Sequence, residues 1–226
     1  MVRDNSHKQR QQRQLERKTN NRASYDRVLI VSEGSKTEPN YFKEIRAYFR
    51  LLTANVEVRP SEFGTAPIQV VEYAKALFVN GDTHRRLPAR AFDRVYVVFD
   101  RDDHESYLKA IDLANSLDGK LKNDDRKLVA FKVVASVPCF ELWLLLHYEA
   151  IHAPIHRSEV MKRLKRYFPA YEKGMGGVFG NTHAHLELAI SRAEALTRKN
   201  TVNSGYEPYT NIHELVGFLI SLRSGK

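Results

Sequence analysis

Between residues 27 and 135 the chain alternates four times between a short apolar run and a stretch at helical spacing. No other feature limits the fold as much. The runs 27–32 (RVLIVS), 56–59 (VEVR), 94–99 (RVYVVF) and 128–135 are rich in β-branched residues and too short for helices. Three of them lack the polar alternation of a half-exposed strand, so they read as strands buried on both faces. The intervening stretches place apolar residues three and four apart: Tyr41, Phe42, Ile45, Tyr48, Phe49 and Leu52 after Pro39; Val70, Val71, Ala74, Leu77 and Phe78 after Pro67; Tyr107, Leu108, Ile111 and Ala114. Parallel strands need crossovers of this length, usually helical, so the expected fold is α/β: a Rossmann-like parallel sheet flanked by helices. Residues 140–147 read as a buried, nearly all-apolar helix. Beyond residue 150 only helices are expected, near 158–168, 183–198 and 210–222, parted by a glycine-rich loop (Gly174, Gly176, Gly177, Gly180) and by residues 203–208. The expected organisation is a basic arm over 1–24, an α/β domain over 25–150, and a helical extension over 151–226 packed on it.

Charge then says where to look for chemistry. The 226 residues carry a net +9, but residues 1–22 hold seven Lys/Arg against Asp4 and Glu16, so five of the nine charges belong to the arm. The body is nearly balanced, and the informative question is where its carboxylates gather. With Cys139 the single cysteine, neither an intrachain disulfide nor a Cys-type zinc site is possible. No apolar run reaches 18 residues and the start lacks the apolar stretch of a secretory signal, so a cytoplasmic protein without a membrane association is expected. No Gly-x-x-x-x-Gly-Lys-Ser/Thr phosphate loop occurs, which argues against an autonomous P-loop ATPase.

Two of the strands end on acids. Glu33-Gly34 follows the first, and Asp100-Arg-Asp-Asp103 follows the third. In open α/β sheets, sites form outside the carboxyl ends of strands at the point where the strand order reverses. If the first and third strands are neighbours, Glu33 meets Asp100 and Asp102 in one crevice. In extended chain, residues two apart also face one side. Clustered carboxylates repel unless a cation neutralises them, and hard oxygen donors suit one or two Mg²⁺ or Mn²⁺ ions. Taken alone, the acidic run equally suits a solvated helix N-terminus. Paired with Glu33 it reads as a metal site fit for phosphodiester chemistry.

This combination resembles the Toprim domain, a Mg²⁺-binding fold of topoisomerases, primases and OLD-type nucleases. Its pattern is a glutamate after the first strand and Asp-x-Asp after the third. A longer resemblance is to the RloB-like family. It is carried by residues 30–42 (IVSEGSKTEPNYF), 97–103 (VVFDRDD), 136–147 (SVPCFELWLLLH) and 207–216 (EPYTNIHELV), in order along the chain. Glu207 departs from it, standing where an asparagine is expected. The resemblance implies a nuclease effector of bacterial phage defence, acting on DNA or RNA, tRNA included. Its partner would be an ABC/SMC-type ATPase of the RloA-like kind.

Within that frame Glu33, Asp100 and Asp102 are the expected metal ligands, with Glu38 and Glu141 as further catalytic candidates. Glu38 either ligates or caps its helix. Glu141, a charge inside an apolar helix, needs a metal or a buried ion-pair partner. Lys36, Arg101, Lys173 and the basic run Lys162, Arg163, Lys165 and Arg166 are candidate nucleic-acid contacts, or else a solvated face. A non-catalytic Toprim-like adaptor binding nucleic acid or the ATPase is the alternative reading, and a nucleotidyl- or phosphotransferase a third.

Overall fold

The computed structural model describes residues 26–53, 55–102, 104–203, 205 and 207–223. The expected basic arm and Asp103 lie outside them. The strands are β1 (Val28–Ser32), β2 (Val56–Pro60), β3 (Arg94–Asp100), β4 (Ala130–Val137) and β5 (Tyr209–Thr210). They form one sheet in the order β2-β1-β3-β4-β5. β1 runs parallel to both β2 and β3, and β3 parallel to β4, while β5 is antiparallel to β4.

Helix α1 (Thr37–Tyr48) carries the chain from β1 to β2, and α2 (Pro67–Asn80) returns it past β1 to β3. α3 (Tyr107–Leu117) leads on to β4. Period-two alternation along β1 sends Val28 and Ile30 to one core, Leu29 and Val31 to the other. α2 and α3 cover the second core. α1 covers the first, together with α4 (Glu141–Leu146), α5 (Arg157–Tyr167), α6 (Val178–Thr182), α7 (Leu186–Lys199) and α8 (Ile212–Ser221), a 3₁₀ turn over His183–His185 joining α6 to α7. The helices beyond residue 150 therefore share a core with α1. The chain leaves β1 toward β2 and β3 toward β4, so the order reverses between β1 and β3, as the strand-end argument required.

Three local expectations change. Tyr209–Thr210 is a strand, not the start of the last helix: Ser136 pairs with Thr210 and Val137 with Tyr209. Beyond it, the Asn211 side chain takes over the edge of β4. Its Oδ1 accepts from the Ala135 N–H (2.8 Å) and its Nδ2 donates to the Val133 carbonyl (3.0 Å). The glycine-rich loop contains a short helix, α6. The fourth strand is shifted by two residues from 128–135 to Ala130–Val137, because Leu128 is exposed in an isolated bridge to Lys122.

Candidate metal centre

Register explains how the acids meet. Ser32 pairs with Val98, so Glu33 and Asp100 emerge from neighbouring strands at the same edge. The Glu33 N–H donates to the Val98 carbonyl (2.9 Å), and Glu33 Oε2 accepts from the Asp100 N–H (3.0 Å). Asp100 pairs with Ser136 on β4, and Pro138 turns the chain straight into α4, which opens with Glu141. Three adjacent strand ends thus deliver Glu33, Asp100 and Glu141. Glu38, in the first turn of α1, completes the inner group and is itself buried.

Burial first, and then the mutual repulsion of these groups, sets their electrostatics. Asp100 is pushed well above the usual carboxylate range by desolvation and by Glu38, Glu33 and Glu141. Glu38 is raised to about 7 by burial, with Glu141 and Glu33 adding to it. Glu33 is likewise raised to about 7 by burial and by Asp102, against the opposing hydrogen bond from Asp100. Glu141 is 2% exposed; its Oε1 accepts from the Tyr171 hydroxyl (3.1 Å) and faces Lys173 Nζ at 3.4 Å. Glu141 Oε2 and Glu38 Oε2 are buried with no hydrogen-bond partner among the described residues. Buried carboxylate oxygens left unmatched are costly, and a cation is the group that would satisfy them. The donor set is all oxygen here and fits Mg²⁺ or Mn²⁺.

Asp102 reaches the site by another route than the extended chain expected of it. Its φ of +37° places it in a left-handed turn, and its Oδ1 sits 3.1 Å from Arg157 Nη1. That turn brings Asp102 together with Glu33 and His104, one ligand atom from each lying within 4.8 Å of the others. Asp100 is not in this trio. His104, Arg157 and Tyr171 were not singled out from sequence. A D-x-H spacing was the one visible signal for His104. Arg157 and Tyr171 become neighbours of the acids only through the fold of the helical extension.

The expected nucleic-acid contacts separate into two groups. Lys36 and Lys173 flank the acids. The Lys36 stem lies against Gly174, where an added Cβ would come within 2.9 Å of it. The loop after Lys173 is tied to α1 by Gly174 N–H to Thr37 Oγ1 (2.9 Å) and by Glu44, which accepts from Gly177 N–H (2.6 Å) and Phe179 N–H (2.8 Å). The Lys173 ammonium is raised because Glu141, Cys139 and Asp100 outweigh the effect of burial. Arg101 donates to the Gly205 carbonyl and lies over the Tyr107 ring. On α5, Arg163 pairs with Glu149 (2.6 Å), Lys165 with Glu172 (2.7 Å) and Lys162 with Glu159 (3.8 Å). Much of that basic run is therefore matched locally, and the exposed Arg166 is left nearest to the solvated-face reading. Next to Asp102 opens a cavity of about 270 Å³, walled by Val137, Pro138 and Ile155 and rimmed by Arg101 and Arg157. No described helix is long and apolar enough to cross a membrane.

The family model for RloB-like proteins matches residues 28–219. No curated protein matches the chain, and neither does any solved structure. The matched span runs from the first residue of β1 into α8 and takes in every acid of the site. The chain belongs to the RloB-like family.

Proposed function

We propose that this chain is a Mg²⁺- or Mn²⁺-dependent nuclease with a Toprim-like centre, the effector of a bacterial phage-defence system. Its expected partner is an ABC/SMC-type ATPase of the RloA-like kind. The observation that carries the reading is the pair of buried oxygens, Glu38 Oε2 and Glu141 Oε2, without a hydrogen-bond partner among the described residues, beside Asp100 at a strand-order reversal. A fold that raises Glu33 and Glu38 to about 7, and Asp100 well above the usual carboxylate range, keeps its acids short of a counter-charge. Protons supply that charge in acid, and a divalent cation would supply it at neutral pH. A bound cation contributes Lewis acidity toward a phosphate oxygen and the leaving oxygen.

The chain's own groups do the rest. Glu33, Asp100 and Asp102 would supply oxygens to one or two cations, with Glu38 and Glu141 beside Asp100 as further donors. Lys173 can exchange its 3.4 Å contact with Glu141 for a phosphate oxygen, and Lys36 stands in the same turn. The cavity beside Asp102 has room for a nucleobase, with Arg157 at its mouth. The test is cleavage of plasmid, single-stranded DNA and tRNA by the chain with its ATPase. Glu33→Ala and Asp100→Ala should each abolish metal-dependent cleavage while leaving the circular dichroism spectrum unchanged; full activity in both would sink the assignment.

One observation favours the adaptor reading. Lys173 and Arg157 already set two cationic groups against the acids. Calorimetry separates the two: absence of heat at millimolar Mg²⁺ and Mn²⁺ would favour an adaptor.

A further inference from the structure

Glu33 Oε1 lies 3.7 Å from His104 Nε2. Glu33, Asp102 and His104 each offer a ligand atom within 4.8 Å of the other two. Around a six-coordinate ion with ligands about 2.1 Å away, neighbouring ligand atoms are about 3 Å apart and opposite ones about 4.2 Å. The 3.7 Å between Glu33 and His104 falls inside that span, and the 4.8 Å bound on the trio exceeds it by about half an ångström, a gap that small side-chain shifts would close on binding an ion. The His104 ring makes no hydrogen bond among the described residues, and its contact with Glu33 is long for an ion pair. The left-handed turn at Asp102, with the His104 N–H donating to the Arg101 carbonyl (3.3 Å), sets the imidazole over the acids.

The acids divide accordingly. Asp100, Glu38 and Glu141 form an inner group whose buried Glu38 Oε2 and Glu141 Oε2, in residues 8% and 2% exposed, lack partners among the described residues. Glu33 lies between that group and the outer trio: it is an electrostatic neighbour of both Asp100 and Asp102. Oxygen donors alone do not discriminate between Mg²⁺ and Mn²⁺ by type. An imidazole nitrogen does, because Mg²⁺ demands hard oxygen ligands and retains its water, whereas Mn²⁺, though the weakest nitrogen binder of the first-row series and itself at home among oxygens, is a larger transition-metal ion that dehydrates more readily and accepts one imidazole.

We propose that His104 is a direct ligand of an outer cation position formed with Glu33 and Asp102, which selects Mn²⁺ over Mg²⁺ beside an inner, all-oxygen position. This rests on the metal-dependent reading above and adds a nitrogen donor to it.

Pulsed electron paramagnetic resonance on the full chain loaded with Mn²⁺ reads the nitrogen directly. Wild type should show ¹⁴N modulation of the Mn²⁺ echo. His104→Ala should remove it, while His156→Ala, which alters a histidine bonded to Ser158, should keep it. Competition calorimetry gives a second measure: His104→Asp, with oxygen in place of nitrogen, should lower the Mn²⁺/Mg²⁺ affinity ratio by about tenfold. Mn²⁺ bound to wild type without ¹⁴N modulation, or modulation that survives His104→Ala, overturns the histidine ligand and leaves the carboxylate centre standing. No Mn²⁺ binding at all overturns both. Should His104→Ala bind no Mn²⁺, the affinity ratio of His104→Asp decides, and a ratio equal to wild type counts against the proposal.

Discussion

A Cβ built on Gly34 would lie 2.0 Å from Glu38 Oε2. The obstacle is the end of one flexible side chain, so Gly34→Ala should fold normally yet push Glu38 out of the inner group. Mn²⁺ affinity measured by calorimetry should fall about tenfold or more, with the melting temperature of the metal-free protein little changed. Unaltered affinity would show that Glu38 does not face the ion. Glu38 and Glu33 also predict how stability depends on pH. Both are raised from 4.5 to about 7, so between those values the native state keeps protons that the unfolded chain has lost. Their contribution is complete below pH 4.5 and drains away as pH rises through 7. For Glu38 alone this amounts to about 3 kcal/mol, and the two together contribute less than twice that because they interact. Urea unfolding of metal-free protein at pH 5 and pH 8, which spans most of that window, should show wild type losing roughly 2 kcal/mol relative to Glu38→Gln. Mn²⁺ should restore more at pH 8 than at pH 5; parallel profiles for the two proteins would contradict the burial assigned to Glu38. Glu33, Asp100 and Glu141 were legible in the sequence because an acid next to an apolar run has few structural explanations. Arg157 and Tyr171 were not, because ordinary surface residue types carry no sign of the loop that brings them to the acids.

At the scale of elements, the end of the sheet opposite the metal centre has its own charged device. Arg27, 7% exposed just before β1, donates to Asp93 from its backbone N–H (2.7 Å) and Nε (3.1 Å), and to Asp124 from Nη1 (2.8 Å) and Nη2 (2.6 Å). Asn123 Nδ2 adds a 2.6 Å bond to Asp93. One guanidinium thereby joins the starts of β1 and β3 to the loop before β4. Breaking one partner of such a network strands the others, so Arg27→Met should cost about 3 kcal/mol in urea unfolding. Mn²⁺ affinity should hold, since Glu33 lies six residues further, about 20 Å along extended chain. A loss under about 1 kcal/mol would mean that the network is solvated and weak. The first four strands and the helices that cover them were readable because β-branched runs and 3.6-residue spacing report burial directly. β5 was not. Two residues are too few for a period, and what holds them is the edge of β4, some 70 residues earlier in the chain. The extended geometry assumed after Asp100 failed for a related reason: sequence spacing reveals nothing of a left-handed turn at a non-glycine residue such as Asp102.

For the molecule as a whole, the two faces of the sheet differ in how they are closed. α2 and α3 close one with residues from the first half of the chain, whereas the other needs helices from both ends of it. α4 lies at the centre of the first core, the one that α1 covers. Leu142, Trp143 and Leu144–Leu146 are 0% exposed, and Trp143 Nε1 donates to the Tyr41 hydroxyl (2.8 Å), joining α4 to α1. Val160, Leu164, Tyr171, Phe179 and Leu186 are buried in the same cluster. The same extension supplies Tyr171 and Lys173 to Glu141, so the fold and the acidic centre depend on it together. A chain cut after residue 150 would expose four leucines and a tryptophan. At about 2 kcal/mol each that is roughly 10 kcal/mol, as much as a whole domain's net stability, even though such transfer figures are upper estimates. The fragment 1–150 should therefore fail to fold, giving poorly dispersed amide resonances and no cooperative melt. The intact chain should unfold in one step, with far-ultraviolet circular dichroism and the fluorescence of Trp143, its single tryptophan, changing together. A fragment that melts cooperatively, or a tryptophan transition separated from the loss of secondary structure, would make residues 151–226 a separate unit. In that case the extension could leave the sheet, and Lys173 could leave Glu141, without unfolding the acids it now covers.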